Sequence, residues 1–80
     1  MKAVLYSRRD CHLCDDMQAA ITPLLAQRGL QLAVIDIDTD PALVERFGVR
    51  IPVFTLDDEI ICEGRPDEAA VRDALGLSGA

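Results

Sequence analysis

The chain has 80 residues, half of them apolar, a formal net charge of −6 and an isoelectric point near 4.4. That length allows one domain, spanning 1–80, with a small core, and the apolar content argues for a folded chain rather than a disordered one. The acidic balance argues against a nucleic-acid partner and against an anionic membrane surface, both of which demand a basic face. No apolar run approaches the roughly 20 residues that span a bilayer, and the N-terminal apolar stretch is too short for a signal peptide. A monomer in the cytoplasm is expected.

In chain order, residues 2–6 (KAVLY) read as a short buried strand. From Leu13 the period changes: Leu13, Met17, Ala20, Ile21, Leu24 and Leu25 make one apolar stripe at helical spacing. Gly29 is expected to cap this helix in the left-handed conformation, and Pro23 within it to bend it or remove one hydrogen bond. Residues 31–36 (QLAVID) form a second strand. TDPALVERFG then reads as a short helix, capped by Thr39 or Asp40, with Pro41 in its first turn and Gly48 at its end. PVFTL and EIIC are strands joined by Asp57-Asp58, a link short enough for an antiparallel hairpin. A two-residue turn sets Cys62 opposite Val53. Val49, Val53 and Phe54 are expected to hold the segment entering this hairpin in the core. The last helix is expected to start at Pro66 with Asp67 and Glu68 in its first turn, and the tail GLSGA to fray. The order strand, helix, strand, helix, hairpin, helix predicts an α/β domain. It has one four-stranded mixed sheet and helices on both faces, its first strand–helix–strand unit being a parallel crossover.

Three cysteines, Cys11, Cys14 and Cys62, are too few and odd in number for a disulfide framework. Cys11 falls where the first strand gives way to the first helix, and Cys14 lies one turn in. Residues i and i+3 share a helix face, so the two sulfurs can meet. Free N–H groups at a helix N-terminus favour an anion, hence a thiolate, which is the nucleophile in disulfide exchange. Cys11, nearer the end, suits attack on a disulfide, and Cys14 suits resolution of the mixed disulfide. Arg8 and Arg9 favour the thiolate, whereas Asp10, Asp15 and Asp16 oppose it. A protonated His12 facing Cys11 would add to the first effect. Two inert buried cysteines are the plainer alternative. A structural zinc site needs four ligands; beyond the pair only Cys62 and His12 remain, so no metal is expected. Cys62 itself reads as packing, with a modifiable third thiol as the alternative.

YSRRDCHLC after the first strand, FGVRIPVF before the hairpin and CEGRPDEAA into the last helix carry a resemblance to the glutaredoxins and glutaredoxin-like proteins of the thioredoxin-fold superfamily. It covers about residues 2 to 76. The resemblance implies a thioredoxin-like sheet (order βαβαββα) with the first strand central, and a cis bond at Ile51-Pro52 facing the cysteines. By itself an X–Pro bond has only about 5% odds of being cis. It also implies that Ile51 offers its backbone to a substrate disulfide and that Pro52 shapes the groove.

The chain departs from the family pattern at several positions, among them the turn that would hold glutathione. His12 and Leu13 replace Pro and an aromatic between the cysteines, and Arg50-Ile51 replaces Thr-Val. Only Gly64 remains of a Gly-Gly turn, followed by Arg65 and by Pro66, which lacks an N–H donor. Asp67 could still meet the amine of glutathione, and Arg8 or Arg9 its carboxylate. The expected function is thiol–disulfide oxidoreduction by Cys11 and Cys14 on a protein or low-molecular-weight disulfide. No cofactor is bound; glutathione is a candidate co-substrate, and glutathione or a thioredoxin-reductase-type system a candidate donor. A non-catalytic binding module and an iron–sulfur carrier using Cys11 with external thiols are the alternatives.

Overall fold

The structure, a computed structural model, describes residues 1–77. Its elements are β1 (Ala3–Ser7), α1 (His12–Ala26), β2 (Leu32–Asp36), α2 (Pro41–Phe47), β3 (Val53–Leu56), β4 (Glu59–Glu63) and α3 (Glu68–Ala74), with a 3₁₀ turn at Ile37–Thr39. The four strands form one sheet in the order β2-β1-β3-β4. β1 runs parallel to β2 and antiparallel to β3, and β3 pairs antiparallel with β4. This is the expected mixed sheet with three helices.

A central strand covered on both faces needs apolar residues on both, so β1 is a continuous apolar run from Ala3 to Leu5, without alternation. Ala3, Val4 and Leu5 are all buried. On one face, Leu5, Phe54 and Cys62 meet Met17, Ile21 and Leu25 of α1 and Val71 of α3. Burying a side chain such as Phe54 there is worth about 1.5–3 kcal/mol. On the other face, Val53 meets Phe47 of α2 and Ile37, with Tyr6, Leu43, Val44 and Ile60 packed around them.

α1 buries Cys14, Met17, Ile21, Leu24 and Leu25. Leu13 does not join them: it is 51% exposed, one residue round the helix from Cys14 and at the margin of the stripe. The helix continues through Pro23. Pro23 and Ala19 are both exposed, so the hydrogen bond that proline removes is lost on the solvent side. Gly29 takes φ 66° and ends the helix as expected, with the Leu30 N–H donating to the Leu25 carbonyl.

Asp40 caps α2 by accepting the Ala42 N–H at 2.9 Å, with Pro41 in the first turn. Gly48 follows with right-handed dihedrals. Space explains the glycine here, since a Cβ would lie 2.5 Å from the Val44 carbonyl oxygen. Asp57 and Asp58 take φ 49° and 69°, the primed turn whose twist suits a two-residue hairpin. Asp57 also ties the hairpin to the N-terminus through the Lys2 N–H, at 2.7 Å.

Four further expectations change. A bulge shifts the β3–β4 register between Phe54 and Thr55, so Cys62 lies opposite Phe54, and Val53 faces Glu63. A turn-based count cannot register that extra residue. Val49 is fully exposed in the turn after α2, while Val53 and Phe54 are buried. α3 starts at Glu68, two residues after Pro66, because Asp67 is its cap rather than part of its first turn. The tail does not fray at its start. Gly76 takes φ 73°, Leu77 donates its N–H to the Arg72 carbonyl at 2.7 Å, and Leu77 packs on the core. The rest of the tail, 78–80, lies outside the described residues.

Candidate functional site

The turn after β1 reverses through Asp10 at φ 56°, in the left-handed region that Asp tolerates better than most side chains. Cys11 then returns to extended backbone (φ −100°, ψ 101°) as the N-cap of α1. Its Sγ accepts the Cys14 N–H at 3.1 Å, and its carbonyl accepts the Asp15 N–H at 3.1 Å. A sulfur thus stands where a serine or aspartate oxygen usually caps a helix. Cys11 and Cys14 are joined by a disulfide, with Cα atoms 5.2 Å apart. Cys11 is half-buried; Cys14 is only 1% exposed.

Strand register brings a second segment to this end of the sheet. Tyr6, near the end of β1, lies opposite Val53, and Val53 lies opposite Glu63. Pro52 precedes Val53, and the Ile51-Pro52 bond is cis, as the resemblance implied. Pro52 is fully buried, and its carbonyl accepts the Gly64 N–H at 2.8 Å. Ile51 is half-buried and donates its own N–H to the Phe47 carbonyl at 3.1 Å. Its donor is therefore used within the protein.

The remaining residues expected at the site have specific surroundings. Arg8 forks onto Asp38, with Nε 3.1 and 3.0 Å from the two carboxylate oxygens and Nη2 2.9 Å from Oδ1. This pair ties the turn before Cys11 to the 3₁₀ segment after β2. Arg9 is exposed. His12 is almost fully exposed, its Nε2 3.9 Å from Asp16 Oδ2 one turn on. Asp67 accepts the Ala70 N–H at 3.0 Å as the cap of α3. It also neighbours Cys62. Burial pushes the Cys62 thiol up from its ordinary pKa; a hydrogen bond from the Asp67 backbone offsets part of this, and the Asp67 charge adds to it.

Residue typing did not reveal the Arg50–Glu63 pair. Arg50 Nε donates to Glu63 Oε2 at 2.6 Å and Nη2 to Oε1 at 3.2 Å. This hydrogen-bonded contact holds the Glu63 carboxyl below the usual carboxylate range and raises the already high pKa of Arg50. The signal available was the hairpin, whose turn brings the chain near 50 towards the chain near 63 with opposite charges. Asp38, thirty residues from Arg8, had no comparable signal. Among the described residues, no cluster of three His, Cys, Asp or Glu side chains is placed to hold a metal ion, and no helix is long and apolar enough to cross a membrane. An open groove of about 440 Å³ lies at the hairpin-turn end, lined by Met1, Leu56, Asp57 and Ala74 among others, and includes none of the residues expected at the site.

A central β1 flanked by a parallel and an antiparallel neighbour, with paired cysteines at the following helix, defines a protein of the thioredoxin fold. Solved structures bear this out. The X. campestris target protein XcR50 is 33% identical, with 96% of this chain and 99% of that chain covered and a TM-score of 0.72. Ne2328 from Nitrosomonas europaea is 31% identical over 91% of this chain and 88% of its own, with a TM-score of 0.79. The glutaredoxin-like protein NrdH-redoxin from Escherichia coli, at 23% identity over 100% and 97% of the two chains and a TM-score of 0.61, shares the fold. The chain belongs to the glutaredoxin-like domain family, whose model matches residues 2–76. No curated protein matches it. Fold, family and the Cys11–Cys14 pair together support a redox function in general.

Proposed function

We propose that this chain is a thiol–disulfide oxidoreductase in which Cys11 is the nucleophile and Cys14 the resolving thiol. The observation that carries the reading is the disulfide at the start of α1, with Cys11 half-buried and Cys14 enclosed. In the reduced protein, the Cys11 thiolate attacks one sulfur of a substrate disulfide. A Cys11–substrate bond forms, the substrate S–S bond breaks, and one substrate thiolate leaves. Cys14, as thiolate, then attacks Cys11 Sγ, releasing the second substrate thiol. Two electrons have passed to the substrate, and the Cys11–Cys14 disulfide remains. A thiol donor, glutathione or a thioredoxin-reductase-type system, reverses this. Ile51 and Pro52 shape the substrate groove, and Arg9 and His12 border it. A reducing compartment, the cytoplasm, suits this cycle.

A protein disulfide is the favoured substrate over a glutathione-containing disulfide. Two groups expected to meet glutathione have internal partners: Arg8 is forked onto Asp38, and Asp67 caps α3. Pro66, beside Asp67, has no N–H to donate.

The test is reduction of the oxidised protein by glutathione and, separately, by NADPH with a thioredoxin reductase, coupled to turnover of insulin disulfides. Turnover lost in Cys11→Ser is expected. No turnover with either donor, or equal turnover in Cys11→Ser, would overturn the reading.

A further inference from the structure

Arg50 lies at the meeting point of three elements. Its backbone N–H donates to the Phe47 carbonyl at the end of α2, at 2.8 Å. Its guanidinium carbon sits 5.8 Å from the centre of the Phe47 ring, and that ring stacks on Tyr6 of β1 with centroids 4.6 Å apart. Its fork reaches Glu63, the last residue of β4. Gly64, directly after Glu63, donates its N–H to the carbonyl of Pro52, two residues after Arg50. The Ile51-Pro52 segment is thus held on both sides. The Phe47 carbonyl takes the N–H groups of Arg50 and Ile51, and the end of β4 takes the Arg50 side chain and the Pro52 carbonyl.

We propose that Arg50 and Glu63 are positioning residues that clamp the Ile51-Pro52 segment to the end of β4 and so fix the backbone on which a substrate disulfide docks. The inference rests on the disulfide-exchange reading above. A single exposed ion pair contributes little to stability, and both side chains here are about 40% exposed. Its effect lies in geometry: a two-pronged guanidinium–carboxylate contact restricts orientation in a way that a point charge does not. The carbonyl of Ile51 lies one residue beyond Arg50 and two before Val53 of β3. Freedom at Arg50 therefore becomes freedom in the docking group. Neither residue touches the reacting sulfurs in this scheme, so the clamp acts on substrate affinity rather than on the chemical step.

The test uses the full chain with Arg50→Gln, Glu63→Gln and the reversed pair Arg50→Glu/Glu63→Arg. Two quantities are read: amide exchange at Gly64, and KM and kcat for insulin beside those for the small disulfide hydroxyethyl disulfide. Both single variants are expected to speed Gly64 exchange and to raise KM for insulin roughly threefold to fivefold, the range open to an exposed pair. Turnover of hydroxyethyl disulfide, too small to pair along a strand, stays at the wild-type value. The reversed pair is expected to recover both losses, because it restores the contact with the charges exchanged. Unchanged Gly64 exchange in both single variants overturns the clamp. Faster exchange with unchanged KM overturns its role in docking. A wild-type protein that turns over no disulfide overturns the parent reading, and Gly64 exchange still reports separately on the clamp.

Discussion

The Cys14 backbone N–H donates to Cys11 Sγ at 3.1 Å, so the first cysteine caps the helix that carries the second. The hydrogen bond lies within one helical turn, and a thiolate at Cys11 would accept it more strongly than a thiol. It also aims the Cys11 sulfur along the helix end while Cys14 faces inward.

From this relationship the reduced protein is expected to lose Cys11 to an alkylating agent before Cys14. Cys14→Ser is expected to accumulate a mixed disulfide at Cys11, which mass spectrometry resolves. Faster labelling at Cys14 than at Cys11 would reverse the two roles.

Cys62 is expected to label more slowly than Cys11 under native conditions. It is buried in the α1/α3 face, and burial raises its pKa. A raised folded pKa means that the native state keeps the proton better than the unfolded chain. This contribution is fully present below the unfolded thiol value, about 8.5, and is lost as pH rises through the folded value. Cys62→Ala is expected to cost about 1 kcal/mol at neutral pH and to flatten the alkaline fall in stability, with disulfide turnover retained. Urea titrations at pH 7 and pH 10 measure the difference; an equally steep alkaline fall in the variant would remove Cys62 from this account.

Glu63 has the opposite sign. Its hydrogen bond to Arg50 lowers the carboxyl pKa in the folded state. The contribution to stability is present above the unfolded carboxyl value, about 4.3, and is lost as pH falls through the lowered folded value. Wild type is therefore expected to exceed Glu63→Gln in stability at pH 7 and to lose that margin in acid. Thermal unfolding of both proteins across the acid range tests this, and a margin independent of pH would contradict it.

The hairpin turn offers a stabilising substitution. Asp57 and Asp58 both occupy positive φ, but Asp57 also accepts the Lys2 N–H and should be kept. Asp58→Gly relieves the left-handed position at the cost of a more flexible unfolded chain, for a net gain of roughly 0.5 kcal/mol. A lower urea midpoint in this variant would show that Asp58 makes a compensating contact.

Much of the chain was legible from residue order because its signals are local. Cys11 and Cys14 meet within one helical turn. Asp40 and Pro41 start α2 through the first backbone N–H groups, and Asp57-Asp58 closes a hairpin with two residues. The central strand betrayed its burial by its unbroken apolar start, Ala3 to Leu5. Each of these features is decided by atoms a few residues apart, so spacing alone carries it.

Tertiary structure decided what depends on where separate elements come to rest. The fork between Arg8 and Asp38 spans 30 positions, and that between Arg50 and Glu63 spans 13. Which arginine found which carboxylate followed from the strand order and from the β3–β4 bulge, since charge type alone left many pairings open. The same bulge moved Cys62 from Val53 to Phe54, because one unpaired residue shifts every later partner on its strand. Val49 and Leu13 were apolar by sequence yet exposed, since hydrophobicity favours burial but only the packed neighbours provide a place for it. The elements and the cysteine pair follow from residue order, because their causes lie within a turn of chain. The partners of the arginines, the register of Cys62 and the use of the Ile51 N–H were decided only when sheet and helices brought distant residues within hydrogen-bonding range.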